Sequence, residues 1–368
     1  MPARGEGGFN VAITEDTTSM ESRRTSVGHM VNGEATVSAQ VAAQVAALGR
    51  WLDAPEEPAP WVVETSGSTG RPKRVQLSRR AVLASVQATE RRLGGRGRWV
   101  LALPPSYVAG LQVICRSLVA GHWPLLLDAT APRWPHDDTW FTSLVPTQLL
   151  RVLEDPEQVA ALRTAHTVLL GGGPMDPALR ARAEAEGLRV VATYGMAETA
   201  GGCVYDGMPL DEVALALGDG GRIRIGGPTV FDGYEDDPVQ TAEVLVDGWF
   251  LTSDAGRIDQ DGRLRVLGRL DDMVVSGGVN VPAAAVAARL RSHPEVAAAE
   301  VLGVPDEEWG SRVVAFVVGR VSVADVRDFV AAVHPRSWAP RQVVALDALP
   351  LLPNGKTDRL ALRELAGA

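Results

Sequence analysis

The chain has 368 residues, 46% hydrophobic and 22% charged, the balance of a globular protein long enough to bury a sizeable core in one large domain with a smaller one, or in two medium domains. Its formal net charge of −9 argues against a general nucleic-acid binder, so any anion must be met by a local cluster of Lys, Arg, backbone N–H groups and a metal. Cys115 and Cys203 form no CxxC and the histidines no HExxH, which leaves neither a disulfide framework nor a zinc site and points to reduced thiols. No apolar run reaches membrane-spanning length and residues 1–10 lack a signal-peptide core, so the expectation is a cytoplasmic protein.

Residues 1–36 are polar and aperiodic and are expected to be a disordered leader. An Ala/Val-rich helix is expected over 37–52, then a Pro-containing loop over 53–60. From Trp61 strands and helices alternate. A strand end at 61–64 leads into a Gly/Ser/Thr loop. The next helix has Ser78 as N-cap, Val82, Val86 and Leu93 on one face, and Gly94 as its stop. There follow a strand at 99–103, a helix near 111–119, strands at 124–127 and 141–145, and a helix after Pro146. A buried strand at 168–170 ends in Gly171-Gly172-Gly173, and a helix at 176–187 precedes a strand at 188–193. Such alternation implies a mostly parallel sheet covered on both faces, with ligands at the carboxyl ends of its strands.

Beyond Gly218 short β segments are expected at 222–225, 243–246, 249–252, 257–259 and 263–267. After Gly268 a smaller α+β unit should hold a helix at 283–291, strands at 298–304 and 312–318, and a helix at 323–333. The fold class is therefore α/β, with a large N-terminal α/β domain carrying a β subdomain (37–268) and a small C-terminal α+β domain (269–368).

The strongest local signal is Thr65-Ser66-Gly67-Ser68-Thr69-Gly70-Arg71-Pro72-Lys73. Its glycines free the backbone to wrap an anion, its hydroxyls donate hydrogen bonds, and Lys73 adds charge. A Walker A loop needs the lysine directly after the glycine, so this is a different phosphate cradle. The nonapeptide resembles the phosphate loop of the adenylate-forming superfamily, which includes acyl-CoA synthetases, luciferases and peptide-synthetase adenylation domains. The other superfamily motifs follow in order. Thr193-Tyr194-Gly195-Met196-Ala197-Glu198-Thr199 is similar to its aromatic-Gly-x-x-Glu-Thr motif, and Thr252-Ser253-Asp254 to its ribose-binding Asp motif. Gly268-Arg269-Leu270-Asp271-Asp272 with Ser276-Gly277-Gly278 is similar to its hinge, and Pro353-Asn354-Gly355-Lys356 to its terminal lysine motif.

The resemblance implies an AMP-forming enzyme using ATP, Mg²⁺ and coenzyme A, with a mobile C-terminal domain. Thr65, Ser66, Gly67, Ser68, Thr69, Gly70 and Lys73 would hold phosphate. Gly171, Gly172 and Gly173 would let the chain pass close to the adenine edge, which Thr193, Tyr194 and Gly195 would flank. Tyr194 would stack on the ring. Glu198 would hold Mg²⁺, Thr199 the α-phosphate and Asp254 both ribose hydroxyls. Arg269 would reach ribose or phosphate. Lys356 would bridge the attacking carboxylate and the α-phosphate, Asp271 would be the pivot, and Ser276, Gly277 and Gly278 would line the coenzyme A tunnel.

Three further stretches resemble the o-succinylbenzoate–CoA ligases of menaquinone biosynthesis, namely 107–116 ending in Arg116, Ser143-Leu144-Val145-Pro146-Thr147-Gln148-Leu149, and 201–207 after Glu-Thr. That narrower resemblance assigns Arg116, Tyr107 and Gly201 to the substrate. o-Succinylbenzoate is a dianion. One carboxylate is activated and the other must be held, and Arg116 in an otherwise apolar helix would be costly to bury unpaired. The alternative for Arg116 is an exposed arginine on a helix face. The phosphate loop comes early compared with the superfamily, so a reduced N-terminal lobe is expected, and a homodimer is left open. Rival readings are another aryl- or acyl-CoA ligase, an enzyme loading a carrier protein, and a non-catalytic binder on the same fold.

Overall fold

The computed structural model describes residues 31–65, 72–127, 134–135, 139–173, 175–351 and 357–367. Ser66, Gly67, Ser68, Thr69, Gly70 and Lys356 lie outside the described residues, as does the expected leader up to residue 30. The chain divides into two compact units, Met1–Ala43 and Gln44–Ala368. The described part of the first is the start of a helix, Val31–Leu52, which begins ahead of the expected residue 37.

In the second unit a seven-stranded sheet runs in the order Leu125–Leu126, Arg98–Leu101, Trp140–Leu144, Thr167–Leu170, Val190–Met196, Gly201–Tyr205, Met208–Pro209. The first five strands are parallel. Trp140–Leu144 and Thr167–Leu170 are buried at every position, as strands sandwiched between two layers must be. Trp134, Trp140, Leu149, Leu162 and Leu188 fill the core on this sheet. Helix Arg79–Leu93 is bounded as its sequence indicates. The Ser78 hydroxyl accepts the Ala81 N–H, and Gly94 sits in the left-handed region at φ 72° with its N–H bonded to the Glu90 carbonyl. Such an N-cap contributes ~1 kcal/mol.

Three expectations are corrected. The strand expected to end at residue 193 continues through Val190–Met196 and returns as the antiparallel Gly201–Tyr205. A Cβ at Gly195 would lie 2.1 Å from the Gly201 carbonyl oxygen, so only glycine permits this approach. Segments 249–252 and 257–259 are one strand, Trp249–Ile258, with a register shift between Ala255 and Gly256. Residues 243–246, expected as strand, begin inside helix Pro238–Val244, and only Leu245–Val246 is strand. There Asp237 accepts the Gln240 N–H and Pro238 opens the helix, a start signal that outweighs local β propensity.

Trp249–Ile258 is the hub of the β subdomain, pairing with Arg222–Gly226, Leu245–Val246 and Leu264–Arg269. A separate antiparallel sheet joins Trp61–Thr65, Lys73–Leu77 and Gly233–Tyr234, which brings Lys73 beside Tyr234 across 161 residues of sequence. From Met273 onward a hairpin, Met273–Ser276 with Val279–Pro282, precedes the sheet Val296–Asp306, Gly310–Gly319, Gln342–Leu346. Helices Ala283–Arg291 and Val323–Ala331 close a core of Val281, Val286, Leu290, Val317 and Val330 on it. The two layers, sheet and helices, are those expected of the small α+β unit.

Candidate active site

Strand ends deliver the motif residues to one cleft of about 210 Å³, lined by Thr65, Lys73, Met196, Ala197, Glu198, Tyr234, Val244, Phe250, Leu251, Ser253, Asp254 and Arg269. Thr65 ends and Lys73 begins two paired strands, directly opposite one another. Glu198 sits in the 3₁₀ turn Ala197–Thr199 that links the two arms of the Val190–Tyr205 hairpin. Asp254 and Arg269 face each other across Trp249–Ile258 and Leu264–Arg269.

Glu198 is 8% exposed. The Tyr234 hydroxyl donates to its Oε1 at 2.8 Å. Lys73 Nζ lies 3.5 Å from the same hydroxyl, at the long limit of a hydrogen bond, and 4.9 Å from the ring centroid. Burial first, and then the Glu198 charge, push the Tyr234 phenol above its ordinary range, so it stays a donor.

Tyr194 donates its hydroxyl to Asp254 Oδ2 at 2.8 Å, and the Asp254 N–H donates to Thr252 Oγ1 at 3.0 Å. Burial raises the Asp254 carboxyl above the usual range, against the lowering effect of the Tyr194 bond and of the Arg269 charge. Arg269 forms a two-pronged pair with Asp271, Nε to Oδ1 at 2.9 Å and Nη2 to Oδ2 at 3.3 Å. Thr199 is fully buried, and its hydroxyl serves the local turn. It accepts the Met196 N–H at 2.9 Å and lies 2.7 Å from the Gly201 carbonyl. In this arrangement Thr199 holds the turn that presents Glu198.

Gly171, Gly172 and Gly173 follow strand Thr167–Leu170, and a Cβ at Gly171 would lie 2.9 Å from Thr193 Oγ1. Thr193 in turn donates to the Leu170 carbonyl at 3.2 Å, so the glycine run and the aromatic motif pack edge to edge at the carboxyl ends of neighbouring strands.

Of the proposed substrate residues only Arg116 is on helix Val108–Val119, Gly201 opens strand Gly201–Tyr205, and none of the three lines the 210 Å³ cleft. Tyr107 precedes the helix and is exposed. Gly201 (φ 98°) faces Gln112 and Val108. Arg116, one turn beyond Gln112, is buried at 3% exposure, which removes the alternative of a solvated arginine. Its Nη2 donates to Thr89 Oγ1 at 3.2 Å and Tyr205 Oη at 3.3 Å, and its guanidinium stacks 4.9 Å from the Trp99 ring. Its Nε has no partner and no carboxylate pairs with it among the described residues. Cys115 and Cys203 are both fully buried, and burial pushes each thiol up to about 12.

At the expected pivot, Asp272 and Glu300 are tied by Arg359. Ser276, Gly277 and Gly278 form the tip of the Met273–Pro282 hairpin, where the Gly277 N–H donates to the Trp309 carbonyl at 3.0 Å.

Two buried polar residues at the site escaped the sequence analysis as functional candidates. Tyr234 has no spacing relation to Lys73 or Glu198, and only its place after Gly233 marks it. Gln112 donates to the Ala200 carbonyl at 2.7 Å, bracing the left-handed Ala200 (φ 49°) after Thr199. A polar residue amid apolar helix neighbours was its one signal.

Among the described residues no three His, Cys, Asp or Glu gather as a metal cluster. A single carboxylate, Glu198, with one oxygen fixed by Tyr234, fits a Mg²⁺ that keeps several waters and takes its remaining ligands from nucleotide phosphates.

The chain matches the AMP-binding enzyme family over residues 53–235 and the AMP-binding enzyme C-terminal domain over 285–356. It is 43% identical over 324 residues to a probable 2-succinylbenzoate–CoA ligase of Mycobacterium tuberculosis (strain ATCC 25618 / H37Rv), covering 83% of this chain and 84% of the relative. With a 2-succinylbenzoate–CoA ligase of Geobacillus sp. (strain WCH70) the identity is 32%, over 83% of this chain and 68% of the relative. The o-succinylbenzoate CoA synthetase (MenE) from Bacillus subtilis, solved with the acyl-adenylate intermediate OSB-AMP, superposes with a TM-score of 0.69 at 29% identity, over 83% of this chain and 70% of that one. Motif order, cleft and these likenesses agree, and the chain belongs to the AMP-binding, adenylate-forming enzyme family.

Proposed function

We propose that the protein is an AMP-forming acid–thiol ligase that activates 2-succinylbenzoate with ATP and transfers the acyl group to coenzyme A, a step of menaquinone biosynthesis. The observation that carries the reading is the convergence of Lys73, Glu198, Asp254 and Arg269 on one cleft. A carboxylate oxygen attacks the α-phosphorus of ATP, the bond to pyrophosphate breaks, and acyl-AMP forms. The coenzyme A thiol then attacks the acyl carbon, loses its proton, and AMP leaves.

Each side chain has a task set by its chemistry. Asp254 accepts the ribose hydroxyls, and the Tyr194 hydroxyl fixes its Oδ2. Lys73 and Arg269 supply positive charge where phosphate charge builds. Lys356 supplies it between the carboxylate and the α-phosphate. Glu198 would hold Mg²⁺, which when bound neutralises phosphate charge. Arg116, buried with a spare N–H and two hydroxyl partners, supports recognition of a second carboxylate. None of the described helices is long and apolar enough to cross a membrane, and ATP and coenzyme A point to the cytoplasm.

The test is AMP release with a panel of carboxylic acids and coenzyme A. Release that depends on 2-succinylbenzoate and coenzyme A together is expected. Turnover with a different acid would replace the substrate, transfer only to a carrier-protein thiol would replace the acceptor, and no release with any acid would remove the enzyme reading.

A further inference from the structure

Tyr234 touches two groups of the cleft at once, and their charges are opposite. Its single hydroxyl proton goes to Glu198 Oε1 at 2.8 Å, so the oxygen's free lone pair faces Lys73 Nζ at 3.5 Å. The ring offers its face to the same ammonium at 4.9 Å. We propose that Tyr234 is a positioning residue of the adenylation step, a neutral spacer that holds Glu198 and Lys73 apart and aimed into the cleft. The inference rests on the ligase reading above and deepens it.

The spacer is itself held from three sides. Strand pairing sets Tyr234 opposite Val75, two residues from Lys73. Its N–H donates to Thr241 Oγ1 at 2.9 Å, and the Phe231 ring lies 5.0 Å from its own. Phe231 also donates its N–H to the Glu198 carbonyl at 3.0 Å, so the backbone carrying the phenol is tied to the backbone carrying the carboxylate. The aim of the hydroxyl is thus built in by the fold.

The physical consequence follows from what each partner would do alone. A nearly buried carboxylate seeks a donor, and Lys73 reaches the same phenol oxygen that serves Glu198. Direct pairing would commit the carboxylate to the lysine when it is needed for metal, and the lysine to the carboxylate when it is needed for phosphate. With the phenol between them, Glu198 has one oxygen fixed and one free among the described residues. Lys73 is parked by a long bond and an aromatic face, both weak enough to give up when a triphosphate enters.

Tyr234→Phe removes only the hydroxyl and keeps the ring face for Lys73. Three measurements on the full chain test the inference. ATP binding by titration calorimetry, with Mg²⁺ and with EDTA, reads the site without turnover. Acid-dependent pyrophosphate exchange against Mg²⁺ concentration reads adenylation. Thioester formation from pre-made acyl-adenylate reads the second step.

Loss of a hydrogen bond to a charged group should weaken ATP binding in Mg²⁺ by about ten-fold or more and raise the half-saturating Mg²⁺ by a similar factor. Binding in EDTA, the KM for the acid and the thioester step should stay near the parent values. Once Glu198 is replaced in Glu198→Gln, adding Tyr234→Phe should cost little more, because the group it positions is gone. Equal losses in both half-reactions with a lowered Tm, unchanged Mg²⁺ dependence, or additive losses in the double variant would each overturn the inference. A parent enzyme without acid-dependent exchange would instead remove the ligase reading, and that outcome is visible before any variant is made.

Discussion

At the scale of single residues, Arg116 and Asp254 carry the sharpest expectations. Arg116 is a buried cation whose described partners are two hydroxyls and an aromatic face. A charge-assisted bond to the second substrate carboxylate is worth roughly 1.5–3 kcal/mol, so Arg116→Ala should raise KM for the diacid by about 10–150-fold. KM for ATP should hold, and a monoacid analogue should not distinguish parent from variant. Equal losses on diacid and monoacid in steady-state kinetics would make Arg116 a core residue. For Asp254 the measurement is a pH profile. Burial raises its carboxyl, and the Tyr194 hydroxyl works against that rise. Tyr194→Phe removes the lowering contact, so the carboxylate should protonate at higher pH, and the acid limb of ATP affinity should move upward. A limb that stays put or moves down would mean that Asp254 does not govern nucleotide binding. These residues were legible because each lies in a contiguous motif. Tyr234 was not, because its partners reach it only through pairing of Lys73–Leu77 with Gly233–Tyr234.

At the scale of elements, the Met273–Pro282 hairpin turns on Gly277 and Gly278 at φ 55° and 77°. Two successive positive φ angles are what a two-residue turn of the primed type demands. The two glycines differ in their surroundings. A Cβ on Gly277 would lie 2.5 Å from the Trp309 ring, whereas one on Gly278 would meet nothing within 4 Å. Gly278→Ala should therefore cost only backbone strain, about 1–2 kcal/mol. Gly277→Ala should cost more, with a larger fall in Tm and a slower thioester step. Thermal melts of the two variants decide it, and equal falls would show that the Trp309 contact yields freely. Elements with end signals were readable from sequence, as with Ser78 and Gly94 around helix Arg79–Leu93. The Gly201–Tyr205 strand was not. Its opening glycines carry no strand propensity, and its place is set by the close approach to Gly195.

At the scale of the whole molecule, the Arg269 pair with Asp271 and the Arg359 ties to Asp272 and Glu300 bracket the expected pivot. The two half-reactions place different demands on the small domain, the terminal lysine for one and the Ser276–Gly278 hairpin tip for the other. Asp271→Pro fixes φ at the pivot and should leave adenylation while abolishing thioester formation. Asp271→Ala breaks the Arg269 pair without fixing φ and should keep both steps. Single-turnover assays of each half-reaction separate the two variants, and a proline variant that completes both steps at the parent rate would rule out rotation at this residue. The order of the large α/β domain, β subdomain and small α+β unit was legible from strand and helix alternation. The joining of 249–258 into one strand was not, because a register shift at Ala255 and Gly256 interrupts its pattern.

The two cysteines have a bearing on chemical self-protection. An acyl-adenylate is a potent acylating agent, and the reaction brings it together with a free thiol. Cys115 and Cys203 are sealed in the core, where burial pushes their thiols up to about 12 and so away from thiolate, the reactive form, at neutral pH. Neither cysteine thus offers an accessible thiol to intercept the intermediate or to form a mixed disulfide with coenzyme A. The folded enzyme should leave a thiol-titrating reagent untouched, release both thiols on denaturation, and keep full activity after incubation with an alkylating agent that silences surface-cysteine enzymes.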